Sequence, residues 1–147
     1  MKAMCLSKAQ PIEQNPLELL DLPAPIPGPD EVRLRVEACG VCRTDLHIIE
    51  GDLPLPKLPL VPGHQVVGIV DRVGEGVTRF RIGDRLGIPW LFSTCGQCDF
   101  CQQDQENLCD VARFTGYHLN GGYAESVVAP ESFVHALPEG FSPAQAA

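Results

Sequence analysis

The stretch "CGQCDFCQQDQENLC" sets Cys95, Cys98, Cys101 and Cys109 at the spacing C-x2-C-x2-C-x7-C. Four thiolates so placed can close around one tetrahedral ion. Gly96 lets the backbone turn tightly between the first two. With every position filled by protein, such an ion has a structural role. An iron–sulfur cluster also takes four cysteines, but the bacterial ferredoxin run is C-x2-C-x2-C-x3-C-P. Here the last gap is seven residues and Asp110 follows Cys109. Disulfides or four packed thiols account less well for C-x2-C-x2-C. The cysteine total, seven, is odd. The N-terminus "MKAMCLSKAQPIEQ" has neither the apolar run nor the cleavage pattern of a signal peptide. The expected location is therefore cytoplasmic, where thiols stay reduced and metal ligation is favoured over disulfides.

A length of 147 residues suits one domain with its own core. Glycine and proline, 14 of each, favour short strands joined by turns over a helical bundle. The net charge of −8 argues against nucleic acid or an anionic membrane as partner. No stretch approaches the roughly 20 apolar residues that span a bilayer. "EVRLRVEACGV" (Glu31–Val41) alternates Val32, Leu34 and Val36 with Arg33, Arg35 and Glu37, the pattern of a half-buried strand. "HQVVGIVDRVG", "GDRLGI", "GGYAESVVA" and "SFVHALP" read as further strands, with "EGVTRFRIGDR" as a solvated hairpin face. Helical patterns are short, at Arg43–Gly51 and near Gln102–Leu108. Ser142, Pro143 and Gln145 form a capping box that announces a helix just as the sequence stops. The expectation is a piece of something longer.

"CGVCRTDLH" (Cys39–His47) holds a second set of donors. Cys42 falls at a helix start, where free N–H groups lower a thiol pKa. His64, in "VPGHQVVG", follows a Pro-Gly turn. Both are natural metal donors. Asp45 is placed to take the second ring N–H of His64. Thr44 and His47 share a helix face and make a proton relay. Cys39 and Cys42 also read as a C-x2-C metal or redox pair. Strict alternation puts Cys39 on the arginine side of its strand, and it stays an unassigned thiol, taken as a small packing residue. Cys5 reads as a core residue of the first strand, and His118 and His135 are given no role.

Five stretches occur in order: "GVCRTDLH", "VPGHQVVG", "RIGDRLG", the four-cysteine lobe and "GGYAESVV". Together they resemble the N-terminal, GroES-like catalytic domain of zinc-dependent alcohol dehydrogenases of the medium-chain dehydrogenase/reductase superfamily. The resemblance covers essentially the whole chain. It implies a mainly β fold with short helices, a partly open β-barrel carrying a four-cysteine zinc lobe. Residues 1–147 would be the catalytic domain, with the Rossmann nucleotide-binding domain absent from them; "GEG" at Gly74–Gly76 is only a turn.

The resemblance implies a catalytic zinc on Cys42 and His64, with a third ligand beyond this sequence. It implies a structural zinc on Cys95, Cys98, Cys101 and Cys109. Thr44 and His47 match the proton relay. Arg43 matches a contact to the cofactor pyrophosphate, and His47 is also placed against the cofactor. Asp45 matches the partner of the ligating histidine. Gln65 stands where the family usually has Glu, which removes a negative charge near the metal. Trp90 matches a tryptophan that narrows the substrate pocket. The implied reaction is oxidation of small alcohols to aldehydes or ketones with NAD or NADP, in a homo-oligomer. The alternatives are a polyol, threonine or formaldehyde dehydrogenase of the same superfamily, or a truncated zinc-binding domain without activity. A chaperonin cap shares the barrel but has no use for the cysteine lobe.

Overall fold

The computed structural model describes residues 1–147. Its centre is a five-stranded antiparallel sheet in the order β8–β3–β4–β5–β9. These strands are β3 (Glu31–Gly40), β4 (Gln65–Val73), β5 (Arg85–Ile88), β8 (Ser126–Pro130) and β9 (His135–Ala136). Two ribbons flank it: β1 (Lys2–Leu6) with β2 (Leu17–Asp21), and β6 (Leu91–Ser93) with β7 (Arg113–Phe114). Three short helices complete the fold, α1 (Arg43–Glu50), α2 (Asp99–Gln102) and α3 (Pro143–Ala146). The mainly β reading with short helices is borne out.

Alternation in β3 does what the sequence implies. Val32 and Leu34 are fully buried and Arg35 is exposed. They pack with Val66, Val70, Leu86 and Ile88 of β4 and β5 in the main core. The register of β3 against β4 slips between Arg33 and Leu34 and again between Val36 and Ala38. Such irregularities bend a strand and increase its twist. The second slip also flips the alternation, so Cys39 packs against the core after all. The packing reading of Cys39 stands, and the bulge is its reason. A smaller core of Leu6, Ile48, Ile49 and Leu60 clamps α1 against β1. The β1–β2 ribbon joins the main sheet near β8 through Met4 N–H to the Tyr123 carbonyl at 2.8 Å and Glu125 N–H to Lys2 at 3.0 Å.

Three local expectations differ from the structure. The helix near Gln102–Leu108 is instead one turn at Asp99–Gln102 followed by a 3-10 turn at Glu106–Leu108, with Asp104 at φ 57° between them. Convergence of the four cysteines breaks any longer helix. "SFVHALP" supplies only a two-residue strand, because Glu131–Phe133 form a 3-10 turn and only Leu86 and Gly87 offer ladder partners. "GGYAESVVA" becomes strand only from Ser126; before it, Gly121, Gly122 and Tyr123 donate to the 61–63 backbone.

Arg33 and Asp71 lock β3 to β4 across the bulge. The guanidinium donates twice, at 2.8 and 3.1 Å, and once more to the Pro25 carbonyl at 3.2 Å. The side chains are 18% and 33% exposed, so solvent weakens the pair only in part. Asp71→Asn is expected to cost about 1 kcal/mol in urea unfolding, with the slope unchanged.

Candidate metal centres

Cys42 is the N-cap of α1, in extended backbone at φ −127° and ψ 177°. Its sulfur accepts the Thr44 N–H at 3.3 Å, and its own N–H donates to Asp45 Oδ2 at 3.0 Å. This is a reciprocal capping box with a thiol where serine is usual. Asp45 is wholly buried. Its Oδ1 accepts from Gly63 N–H at 3.2 Å and lies 3.0 Å from His64 Nδ1. A proton on Nδ1 satisfies that contact and leaves the Nε2 lone pair free. Nε2 lies 3.3 Å from Cys42 Sγ.

His64 owes its position to the turn before β4. Gly63 has φ +96°, and a Cβ there would meet Tyr123 Cδ1 at 2.5 Å. Only glycine fits both the backbone and the space.

The electrostatics match the geometry. Burial pushes the Cys42 thiol up, but the Thr44 hydroxyl and amide, the Asp45 amide and the His64 ring bring it below its ordinary value. Burial also opposes charge on Asp45 and His64. Their mutual contact prevails: Asp45 is held below the carboxylate range and His64 above the usual imidazole value. Cys39 differs, because burial pushes it up to about 12, so it stays a thiol near neutrality.

Trp90 stands edge-on to His64, centroids 4.9 Å apart, and stacks flat on Phe114 at 4.7 Å. His64, Gln65 and Trp90 face a cavity of about 410 Å³ whose wall also includes His135, Leu137 and Ala146. His135, given no role from the sequence, therefore reaches this wall, while His118 sits behind it, against Phe114 and Tyr117. Gln65 is exposed and is not among the groups bonded to Cys42, Asp45 or His64. Arg43 opens α1, exposed, and Thr44 follows half-buried. His47 lies one turn on, its Nδ1 2.7 Å from Asp52 Oδ2, and no hydrogen bond joins it to Thr44. Tyr123 and the Gly63 amide belong to the site and were not singled out; only their presence in "GGYAESVV" and "VPGHQVVG" hinted at them.

In the lobe, Cys98 and Cys101 sulfurs lie 3.5 Å apart, Cys95 and Cys109 3.7 Å, and Cys95 and Cys101 3.9 Å. A tetrahedron with Zn–S of about 2.3 Å has edges of roughly 3.8 Å. A thiolate and an imidazole on one zinc lie about 3.6 Å apart by the same geometry, near the Cys42–His64 separation. All four lobe sulfurs lie within 4.8 Å of one another, room for one ion. A multi-iron cluster, with each cysteine on a different iron, needs wider spacing. The Gln97 and Cys98 amides hold Cys95 down at about 6. The Cys101 amide favours the Cys98 thiolate, but burial and the neighbouring sulfurs push that thiol up to about 11. Cys95 thus loses its proton near neutrality unaided, whereas Cys98 gives its proton up only to a cation.

The model for the alcohol dehydrogenase GroES-like domain matches residues 28–139. The chain belongs to this family. An alcohol dehydrogenase of Geobacillus stearothermophilus is 48% identical over 95% of the GroES-like chain, which covers 42% of that relative. The crystal structure of an NAD-dependent alcohol dehydrogenase superposes with a TM-score of 0.89 at 38% identity, over 97% of this chain and 41% of that one. A cobalt- and zinc-bound thermostable alcohol dehydrogenase from Pyrobaculum aerophilum gives 0.85 at 31% identity, over 92% and 41%. The GroES-like chain thus spans less than half the length of these relatives. The resemblance read from five ordered motifs is borne out, and with it the GroES-like fold.

Proposed function

We propose that residues 1–147 are the catalytic domain of a zinc-dependent alcohol dehydrogenase, oxidising small alcohols to aldehydes or ketones with NAD or NADP. The observation that carries this is the Cys42–Asp45–His64 constellation, whose His64 lines a cavity together with Trp90. The kinship with an NAD-dependent alcohol dehydrogenase and with a cobalt- and zinc-bound one supports it. The nucleotide-binding Rossmann domain lies outside these residues.

A zinc ion held by Cys42 Sγ and His64 Nε2 supplies a Lewis acid for an alcohol or carbonyl oxygen. Asp45 keeps the His64 proton on Nδ1 and so keeps Nε2 available. Thr44, beside the Cys42 sulfur, takes the proton of the substrate hydroxyl, and His47, paired with Asp52 near solvent, passes it outward. Thr44 and His47 share no direct hydrogen bond, so this transfer would need a group between them. Arg43, exposed at the start of α1, meets the cofactor pyrophosphate, and His47 also lies against the cofactor. Trp90 limits the size of the substrate. Gln65 leaves the cavity wall less negative than a glutamate would. Cys95, Cys98, Cys101 and Cys109 hold a second zinc with no position open to substrate. The working protein is a cytoplasmic homo-oligomer with no nucleic-acid or membrane partner.

One observation favours a second reading, a zinc-binding domain that is catalytically incomplete. Of the three donors in the mixed cluster, Asp45 is already committed to Cys42, Gly63 and His64. Elemental mass spectrometry and alcohol-dependent nicotinamide reduction separate the two. Measured on the protein together with its nucleotide-binding domain, the enzyme reading expects two zinc ions per chain and turnover that His64→Ala abolishes while the lobe keeps its ion. One ion without turnover would establish the second reading, and iron would overturn both.

A further inference from the structure

Tyr123 carries a hydroxyl buried from solvent, with no hydrogen-bond partner. Buried polar groups in native folds are nearly always paired, so an orphan donor needs a reason. This one cannot swing out to water. Tyr123 N–H donates to the Pro62 carbonyl at 3.0 Å, and its carbonyl accepts from Met4 at 2.8 Å. Its ring edge fills the space that a Cβ on Gly63 would need.

The phenol ring packs on Gly63, whose N–H donates to Asp45 Oδ1 at 3.2 Å, so Tyr123 and the Asp45 carboxylate share one turn. Burial and the Asp45 charge push the Tyr123 hydroxyl well above its ordinary value, so it stays a donor. A carboxylate offers about four lone-pair positions. Cys42 N–H, Gly63 N–H and His64 Nδ1 occupy three, at 3.0, 3.2 and 3.0 Å. Asp45 thus keeps an unfilled acceptor position, and the unpaired Tyr123 donor belongs to the ring packed on the turn that Asp45 holds.

We propose that Tyr123 is a positioning residue for His64: its hydroxyl is the fourth donor to Asp45, fixing the carboxylate that aims His64 Nε2 at the metal position. The inference rests on the reading of Cys42 and His64 as metal ligands. Hydrogen bonds behind a ligating histidine typically change metal affinity 10–100-fold when lost. Tyr123 acts through another group's partner, so its effect belongs at the low end.

The test is cobalt(II), added alone to the protein with its nucleotide-binding domain, in competition with a chromophoric chelator. The absorption bands of a thiolate–imidazole site distinguish it from the all-thiolate lobe. Tyr123→Phe removes one oxygen and keeps the ring that seals Gly63. It is expected to weaken cobalt at the mixed site about tenfold and leave the lobe unchanged. In an Asp45→Asn background the same substitution is expected to add nothing, because its route is gone. Unchanged affinity, or an equal loss in both backgrounds, would overturn the positioning role and leave the phenol as packing. The His64 Nδ1 proton resonance of the metal-free chain is an independent readout. It shifts in Tyr123→Phe if the carboxylate turns, and stays if the phenol only packs. A parent protein with its nucleotide-binding domain that fills its lobe and takes no second cobalt would overturn the ligand reading itself and this inference with it.

Discussion

Cys98→Ser is expected to remove one metal ion per chain and to unfold the segment from Thr94 to Ala112. The lobe has almost nothing else to hold it. Neither α2 nor the 3-10 turn at Glu106–Leu108 buries a residue. Phe100, Leu108 and Val111 are 40%, 50% and 63% exposed. A four-residue helix does not persist by itself, because nucleation is costly. So little apolar burial cannot offset the entropy of ordering the segment. The compensating term has to come from the ion, and structural zinc in small peptides is worth about 10–16 kcal/mol near neutral pH. Protons compete with the ion for the thiolates, so acid weakens the lobe in the same direction as the substitution.

Hydrogen exchange in Cys98→Ser is therefore expected to lose protection across the lobe while β3, β4 and β5 keep theirs. The damage should also reach the mixed site in part. The β6–β7 ribbon frames the lobe and carries Phe114, on which Trp90 stacks. Unchanged protection in Cys98→Ser would mean that packing, not a metal, holds the four cysteines together.

What the sequence carried well was whatever depends on spacing along the chain. The lobe cysteines lie close in sequence, so their interval alone limits what they can surround. β3 is legible because a period of two is intrinsic to a strand with one buried face. The lost information is of the kind that arises when distant segments meet. Cys39 turns inward because of a register slip against β4, and no residue in β3 announces a bulge. Tyr123 packs on the turn before His64 only because Gly63 has no side chain and the 121–123 backbone crosses the 61–63 turn. His135 lines the cavity because Leu86 and Gly87 give β9 an edge to pair with. In each case the partner lies tens of residues away, and composition around the residue is silent. The Thr44–His47 relay shows the opposite limit: shared helical spacing put both on one face, but the His47 ring is committed to Asp52.

Asp45→Ala is expected to destabilise the domain by about 3–5 kcal/mol, the loss typical of a broken buried ion pair. Total stabilities of such domains are about 5–15 kcal/mol, so a large share of the margin goes. Three donors would be stranded at once, the Cys42 and Gly63 amides and His64 Nδ1, around a fully buried position. The first opens α1 and the second carries His64, so both halves of the mixed site loosen together. Asp45→Asn keeps the shape, removes the charge and sets an NH₂ against one of the donors, and a smaller loss is expected.

The two variants also differ from the parent in pH dependence, measured as urea midpoints after chelation. Although burial opposes its charge, contact with His64 keeps Asp45 below its ordinary value. Its contribution is complete above about pH 4 and fades as pH falls through the lowered value. Burial opposes charge on His64 too, but Asp45 raises it. Its contribution is complete below about pH 6.5 and fades as pH rises through the raised value. The metal-free parent should therefore exceed Asp45→Asn most between about pH 4 and 6.5. A constant difference from pH 4 to 9 would mean that the pair is held by shape alone. Metal reverses the alkaline side, because a ligating imidazole must be neutral and a cation takes the place of its proton. The Asp45–His64 contact that stabilises the metal-free domain in mild acid would, under the proposed function, also present His64 Nε2 to an ion near neutrality.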